Sequence, residues 1–293
     1  MKLANVNGEM SIVMNRQHFP IAELSGGRFG PSPEDIYRRW SDFSHWAGGV
    51  ELAEGLPLSA TELGAPSPRP RQVFAVALNY SDHVKESGLS DPALPLFFTK
   101  FPSSVAGPYG ELPLPSDRVD WEAELVVVIG RHARNIGERE AWDYVAGVTV
   151  GQDYSERLLQ LYGPAPQFGL AKSYPGFSPI GPWLVTPDEL DDRDNLPLTC
   201  EIDGTVVQSA DTSLMIFSVA QQIAFLTQIT DLYPGDVIFT GTPNGVGHGM
   251  KPPRYIRDGE TITTTIVGVG RICQTARTAE RPTFTDVLVA GGR

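Results

Sequence analysis

Short apolar runs separated by turn residues dominate the middle and end of this chain. Residues 126–129 (Val-Val-Val-Ile) form a β-branched run closed by Gly130, the pattern of a buried strand. Residues 73–78 and 96–100 read as two further strands, and 148–150 as the end of another. Residues 183–185 look like a short edge strand, because prolines stand on both sides of them. Residues 199–208 predict a hairpin around Asp203-Gly204, a type I′ turn signal. A strand over 236–240 and a hairpin built from 261–267 and 271–275 complete the set. Helical spacing is clearest over 212–228, where Met215, Val219, Ile223 and Leu226 recur on one face.

The first seventy residues read differently. Strand-like runs at 10–14 and 20–24 flank a turn at 15–17. Ser32 is placed to cap a helix with Pro33 in its first turn and Asp35 as the capping-box acid, and an amphipathic segment continues to about Trp46. Residues 64–70 are too rich in proline for a helix or a central strand. They are taken as a linker between a small N-terminal domain, 1–70, and a main domain, 71–293.

Composition adds exclusions. The chain has 293 residues, 41% hydrophobic and 20% charged, the profile of a globular protein with a sizeable core. A net charge of −12 argues against nucleic-acid and acidic-membrane partners. Two cysteines, Cys200 and Cys273, make no disulfide framework and read as small buried hydrophobes. No signal peptide and no membrane-length apolar run is present, so a cytoplasmic enzyme is expected.

Candidate chemistry gathers at a few places. Asp120, Glu122 and Glu124 alternate into the buried run, which in a continuous strand sets all three carboxylates on one face. They repel one another and resist desolvation, unless the face is simply solvated. A hard divalent cation, Mg²⁺, Mn²⁺ or Ca²⁺, suits such oxygen ligands. Asp153 follows a strand-like run and stands at a strand end. Ser81 or Asp82 can start a short helix on which His83 and Glu86 are neighbours three residues apart. A carboxylate beside an imidazole raises its basicity and fixes its tautomer, as a general base requires. Residues 87–95 form a Gly/Pro/Ser-containing loop able to act as a lid. The glycines of 240–247 can bring backbone N–H groups close to an anion. His18, His45 and His132 read as structural or exposed; His248, after the Gly-rich loop, is a weaker candidate for the pocket wall.

Five stretches in order resemble the fumarylacetoacetate hydrolase family: Asn79-Tyr80-Ser81-Asp82-His83, Asp120-Trp121-Glu122-Ala123-Glu124, Gly151 through Arg157, Lys172 through Trp183, and Gly235 through Pro243. The resemblance implies an α+β fold with a mixed β-sheet rolled into a barrel-like form, and a homodimer or higher homo-oligomer. It implies a Mg²⁺ or similar ion on Glu122, Glu124 and Asp153, with Lys172 reaching the site and Arg157 and Gln160 touching substrate. Thr240, Gly241 and Thr242 are added as anion contacts, because a 2-oxo acid carries one or two carboxylates. Gln152 and Glu156 depart from the usual family residues, at positions expected to touch no ligand. The expected reaction is hydrolysis of a C–C bond in a 2,4-dioxo acid, with His83, Glu86 and Lys172 as catalytic groups. Decarboxylation of an oxaloacetate-like acid and isomerisation of a 2-oxo acid need the same site, and a metal-stabilised binding protein without turnover is the reading from another class.

Overall fold

The structure, a computed structural model, describes residues 1–279. Its centre is the strand Ala123–Ile129, all seven residues of which are buried. Alternation explains why this strand is apolar throughout. Leu125, Val127 and Ile129 join one hydrophobic cluster, with Trp121, Val148 and Ile238. Val126 and Val128 join another, with Leu3, Ile12, Trp40 and Phe239. A strand covered on both faces cannot carry a solvated side.

The main sheet runs as an open path of strands. In order these are Leu56–Pro57, Gln17–Pro20, Glu9–Met14, Lys2–Val6, Ser178–Val185, Val145–Gln152, Ala123–Ile129, Val237–Phe239, Val73–Ala77 and Leu96–Lys100. It is mixed: Val237–Phe239 pairs parallel with Val73–Ala77 and antiparallel with Ala123–Ile129. A second sheet orders Thr205–Asp211, Pro197–Ile202, Thr261–Ile266, Gly270–Thr278 and Tyr109–Leu114. Its apolar residues Leu198, Cys200, Ile262 and Ile272 share the first cluster, together with Val219, Ile223 and Leu226 of the helix Val219–Ile229. The chain is thus α+β with two large sheets, and among the described residues neither closes into the expected barrel.

Several elements differ from the sequence reading. The N-terminal strands continue the main sheet through Lys2–Val6 against Ser178–Val185. The helices Pro33–Arg38 and Trp40–Ala47 put Ile36, Trp40 and Phe43 into the same cluster as Val126 and Val128. Ser32 does cap the first of them, accepting the Asp35 N–H at 3.2 Å. Residues 21–24 are a helical turn instead of a strand. Trp183 to Val185 lie at the end of an eight-residue strand inside the sheet, not at its edge. Its prolines are accommodated because pairing with Val145–Gln152 shifts register between Val148 and Val150. The best predicted helix begins seven residues late, at Val219: Ser218 and Gln221 form a capping box there that outcompetes the apolar spacing upstream. Cys200 is buried, whereas Cys273 is only partly so.

Candidate active site

Pairing register assembles the site. Ala123 stands opposite Gln152 and Glu124 opposite Gly151. One step further the ladder continues irregularly, with the Asp153 N–H donating to the Glu122 carbonyl at 2.9 Å. Asp153 is thereby set beside the two glutamates, and carboxylate oxygens of Glu122, Glu124 and Asp153 all lie within 4.8 Å of one another. All three residues are buried.

The expected row of three carboxylates on one strand face is not what brings them together. The strand breaks at Trp121 and Glu122, and Asp120 belongs to a separate short strand, Val119–Asp120. Asp120 is turned instead toward Arg157, whose Nε and a terminal nitrogen reach its Oδ2 at 2.9 and 2.7 Å. It also accepts the N–H groups of Gly247 and His248 at 2.8 and 2.9 Å. Gln152, expected to touch no ligand, accepts the Glu122 N–H at 2.8 Å and donates to Thr264 at 2.7 Å. It ties the Glu122 backbone to the second sheet.

Three cations serve this acid cluster. Lys172 donates to Glu122 at 2.7 Å and to Asp153 at 2.8 Å. Arg157 reaches Glu122 at 2.7 Å and Gln160 at 2.8 Å. Lys100, which the sequence reading treated only as a strand end, donates to Asp153 and to the Phe177 carbonyl, and its side chain is fully buried. The available signal was a lone lysine closing an apolar strand, which needs an acid partner if that strand is buried.

The charges are unequally matched. Burial pushes the Glu122 carboxyl up, but Lys172 and Arg157 outweigh it and hold Glu122 below the usual carboxylate range. Burial likewise opposes the Lys172 ammonium, and Asp153 with Glu122 keeps it charged. For Lys100, burial wins and lowers the pKa. Among the described residues Glu124 has no cation in contact; its partner is the Gly241 N–H at 2.8 Å. Burial, then Asp153 and Glu122, drive its pKa well above normal. An oxygen-only donor set with one unmatched carboxylate fits a hard divalent ion, which would neutralise Glu124 where no side chain does.

His83 and Glu86 lie on the helix Ser81–Glu86 as expected, with Nδ1 and Oε2 3.1 Å apart and His83 buried. The helix start differs: neither Ser81 nor Asp82 caps it, Ser81 bonding Asp91 of the following loop at 2.9 Å. Glu86 also accepts the Gly245 N–H at 3.0 Å. The Gly-rich segment therefore does bring N–H groups to anions, but the anions are the protein's own Glu86, Asp120 and Glu124. The hydroxyl of Thr240 is bonded to the Leu125 carbonyl and that of Thr242 to the Ala123 carbonyl.

A cavity of about 570 Å³ joins the parts. His83, Glu86, Glu122, Arg157, Gln160, Lys172 and Thr242 line it, with Phe98, Leu89 and Phe168 as apolar walls. Thr240 and Gly241 do not line it, because their polar groups are held against the strand end. His248 does, its Nδ1 3.0 Å from the Tyr255 hydroxyl. His132 lies elsewhere, 3.0 Å from Asp231, a partner too distant in sequence to foresee. A larger cavity, about 1120 Å³, adjoins through Met250, Lys251 and Pro253 but carries none of these acids.

The family model for the fumarylacetoacetate (FAA) hydrolase C-terminal region matches residues 72–277. The chain belongs to the fumarylacetoacetate hydrolase family. Among its relatives in this family is the human mitochondrial oxaloacetate tautomerase FAHD2A, 44% identical over 219 residues, which span 74% of this chain and 70% of that one. A candidate HpcE protein from Mycobacterium smegmatis has the same fold, with a TM-score of 0.92 at 53% identity over 96% of this chain and 100% of the other. Maleylpyruvate hydrolase from Sphingobium sp. SYK-6, solved with manganese(II) and pyruvate, superposes with a TM-score of 0.78 at 28% identity, covering 96% and 100%. Family membership leaves several reactions open, since these relatives include a tautomerase and a hydrolase. No described helix is long and apolar enough to cross a membrane.

Proposed function

We propose that the chain is a divalent-metal-dependent enzyme of 2-oxo acids that interconverts the keto and enol forms of an oxaloacetate-type substrate. The observation that carries this reading is the sharing of one cavity by a carboxylate-backed imidazole and the Glu122 side of an acid cluster with the geometry to hold a metal ion. The 44% identity to an oxaloacetate tautomerase supports enolisation, and the likeness to a maleylpyruvate hydrolase keeps hydrolysis as the second reading.

Glu122, Glu124 and Asp153 are the proposed ligands, for Mg²⁺, Mn²⁺ or Ca²⁺. When bound, such an ion supplies Lewis acidity toward the substrate's keto oxygen and adjacent carboxylate. The remaining work falls to side chains. Glu86 takes the Nδ1 proton as a hydrogen bond and leaves Nε2 of His83 with its lone pair. Nε2 removes a proton from the carbon next to the keto group, and that proton is returned to the enolate oxygen or, in reverse, to carbon. Lys172 and Arg157 hold positive charge beside the growing negative charge. Gln160 keeps Arg157 in place. The hydrolase reading uses the same dyad on water: hydroxide adds to the distal carbonyl of a 2,4-dioxo acid. The C–C bond breaks with its electron pair leaving as the pyruvate enolate, which takes the proton back, and the acyl group is released as a carboxylate. Cytoplasmic location, homo-oligomerisation and a boundary near residue 70 belong to this proposal as well.

Ultraviolet absorbance of the enol of oxaloacetate, followed with and without metal, tests the reading. Accelerated loss of enol without release of CO₂ supports it. Pyruvate released from an acylpyruvate, with no effect on oxaloacetate, would replace it by the hydrolase reading; pyruvate and CO₂ from oxaloacetate would replace it by decarboxylation.

A further inference from the structure

We propose that Lys251 is the specificity residue that selects dianionic 2-oxo acids by binding the carboxylate remote from the keto group. The inference rests on the 2-oxo acid reading above and adds a residue and a substrate class to it. Five side chains that carry or can carry positive charge line the cavity: His83, Arg157, Lys172, His248 and Lys251. Arg157 and Lys172 are held by Asp120, Glu122 and Asp153. His83 faces Glu86, and His248 is bonded to Tyr255 while burial and then Arg157 hold its pKa down. Lys251 is exposed and has no ion pair or side-chain hydrogen bond among the described residues. It is therefore the cavity cation free to meet an incoming charge.

Its backbone is anchored by its neighbours. The preceding loop is pinned at both ends of the site. Gly245 donates to Glu86 at 3.0 Å, while Gly247 and His248 donate to Asp120 at 2.8 and 2.9 Å. Gly249 packs so closely that a methyl group there would stand 2.5 Å from the Glu86 carboxylate carbon. Pro252 and Pro253 follow Lys251 and restrict the backbone on its other side. A lysine emerging between these anchors has its backbone held beside the cavity that His83, Glu86 and Glu122 also line.

Charge bookkeeping points the same way. The ion pairs around Asp120, Glu122 and Asp153 leave Glu124 unmatched, and the proposed metal is matched by it and by the substrate's own 2-oxo carboxylate. Among the described residues, a second substrate carboxylate finds no cavity cation without an ion pair or side-chain hydrogen bond other than Lys251. A charge-assisted hydrogen bond of this kind is worth a factor of roughly 10–100 in binding.

The test compares oxaloacetate with its 4-methyl ester, which keeps the 2-oxo carboxylate and loses the remote charge. Binding to the Mg²⁺- or Mn²⁺-loaded protein is measured by calorimetry, and turnover is measured in parallel. In the unaltered chain the dianion should bind roughly 10–100-fold more tightly than the ester. Lys251→Met should remove that preference by weakening the dianion alone, raising KM with little change in kcat, and Lys251→Arg should restore most of it. A preference that survives Lys251→Met, or an equal loss for both ligands, overturns the proposal. If the unaltered chain binds the dianion selectively but turns over neither ligand, Lys251 stands and the tautomerase reading falls.

Discussion

Among the described residues, Glu124 is buried against Asp153 and Glu122 with one N–H donor and no cation, so its charged form is the least compensated in the site. Glu124→Gln keeps an acceptor for Gly241 and removes that charge. Metal affinity measured by calorimetry should fall by more than about 100-fold, beyond what loss of an outer-shell partner costs. In chelator the same variant should unfold at an equal or higher temperature, because the raised pKa of Glu124 marks its charged form as destabilising there. Unchanged affinity would remove Glu124 from the ligand set. Lys100 presents the opposite case. Lys100→Met leaves Asp153 one partner short, and urea denaturation should register a loss of about 3–5 kcal/mol, the usual cost of breaking a buried pair. His83→Ala should slow turnover by about 10²–10⁴-fold, the usual worth of a general base. Should the rate hold while KM alone rises, His83 positions substrate and the dyad moves no proton.

At the scale of elements, the segment from Gly241 to Gly249 is the joint between the helix bearing the dyad and the strands bearing the acids. Two glycines in it separate two kinds of constraint. Gly245 has a φ of +98°, and a methyl group there would collide with the Val207 carbonyl. Gly245→Ala should therefore lower stability by about 1–3 kcal/mol through backbone strain. At Gly249 the three nearest atoms all belong to the flexible side chain of Glu86. Gly249→Ala should leave unfolding nearly unchanged and slow turnover, because Glu86 is displaced from His83; equal rates in that variant would show that the hydrogen bond to Glu86 is dispensable. What the sequence made legible at this scale was local. The run from Val126 to Ile129, the Asp203-Gly204 hairpin, the Ser32 cap and the His83–Glu86 spacing all follow from neighbours along the chain. The Asp120–Arg157 pair, the Lys100–Asp153 pair and the contact of Gln152 with the Glu122 backbone depend on register between strands, which no spacing in the sequence states. Thr240 and Gly241 meet partners set by the same register: a Gly-rich turn announces free N–H groups but not which anion they meet.

Over the whole molecule, the two sheets and the N-terminal helices converge on the strand Ala123–Ile129, and its leading end carries Glu124. Ligand binding at that end is therefore coupled to the core. Saturating divalent metal at about 100 times its Kd should stabilise the fold by about 2.7 kcal/mol, visible as a rise in Tm that chelator reverses. The net charge of −12 keeps a dianionic substrate from being drawn to the surface at large, so recognition falls to the cations inside the cavity. The central claim joins metal, acid cluster and 2-oxo acid chemistry, and one measurement addresses all three: decay of oxaloacetate enol absorbance with the chelator-treated chain, the chain restored with Mg²⁺ or Mn²⁺, and Glu124→Gln under the same metal. The account predicts acceleration in the restored chain alone. Enol decay at the uncatalysed rate in all three samples, or equal acceleration in all three, would contradict it.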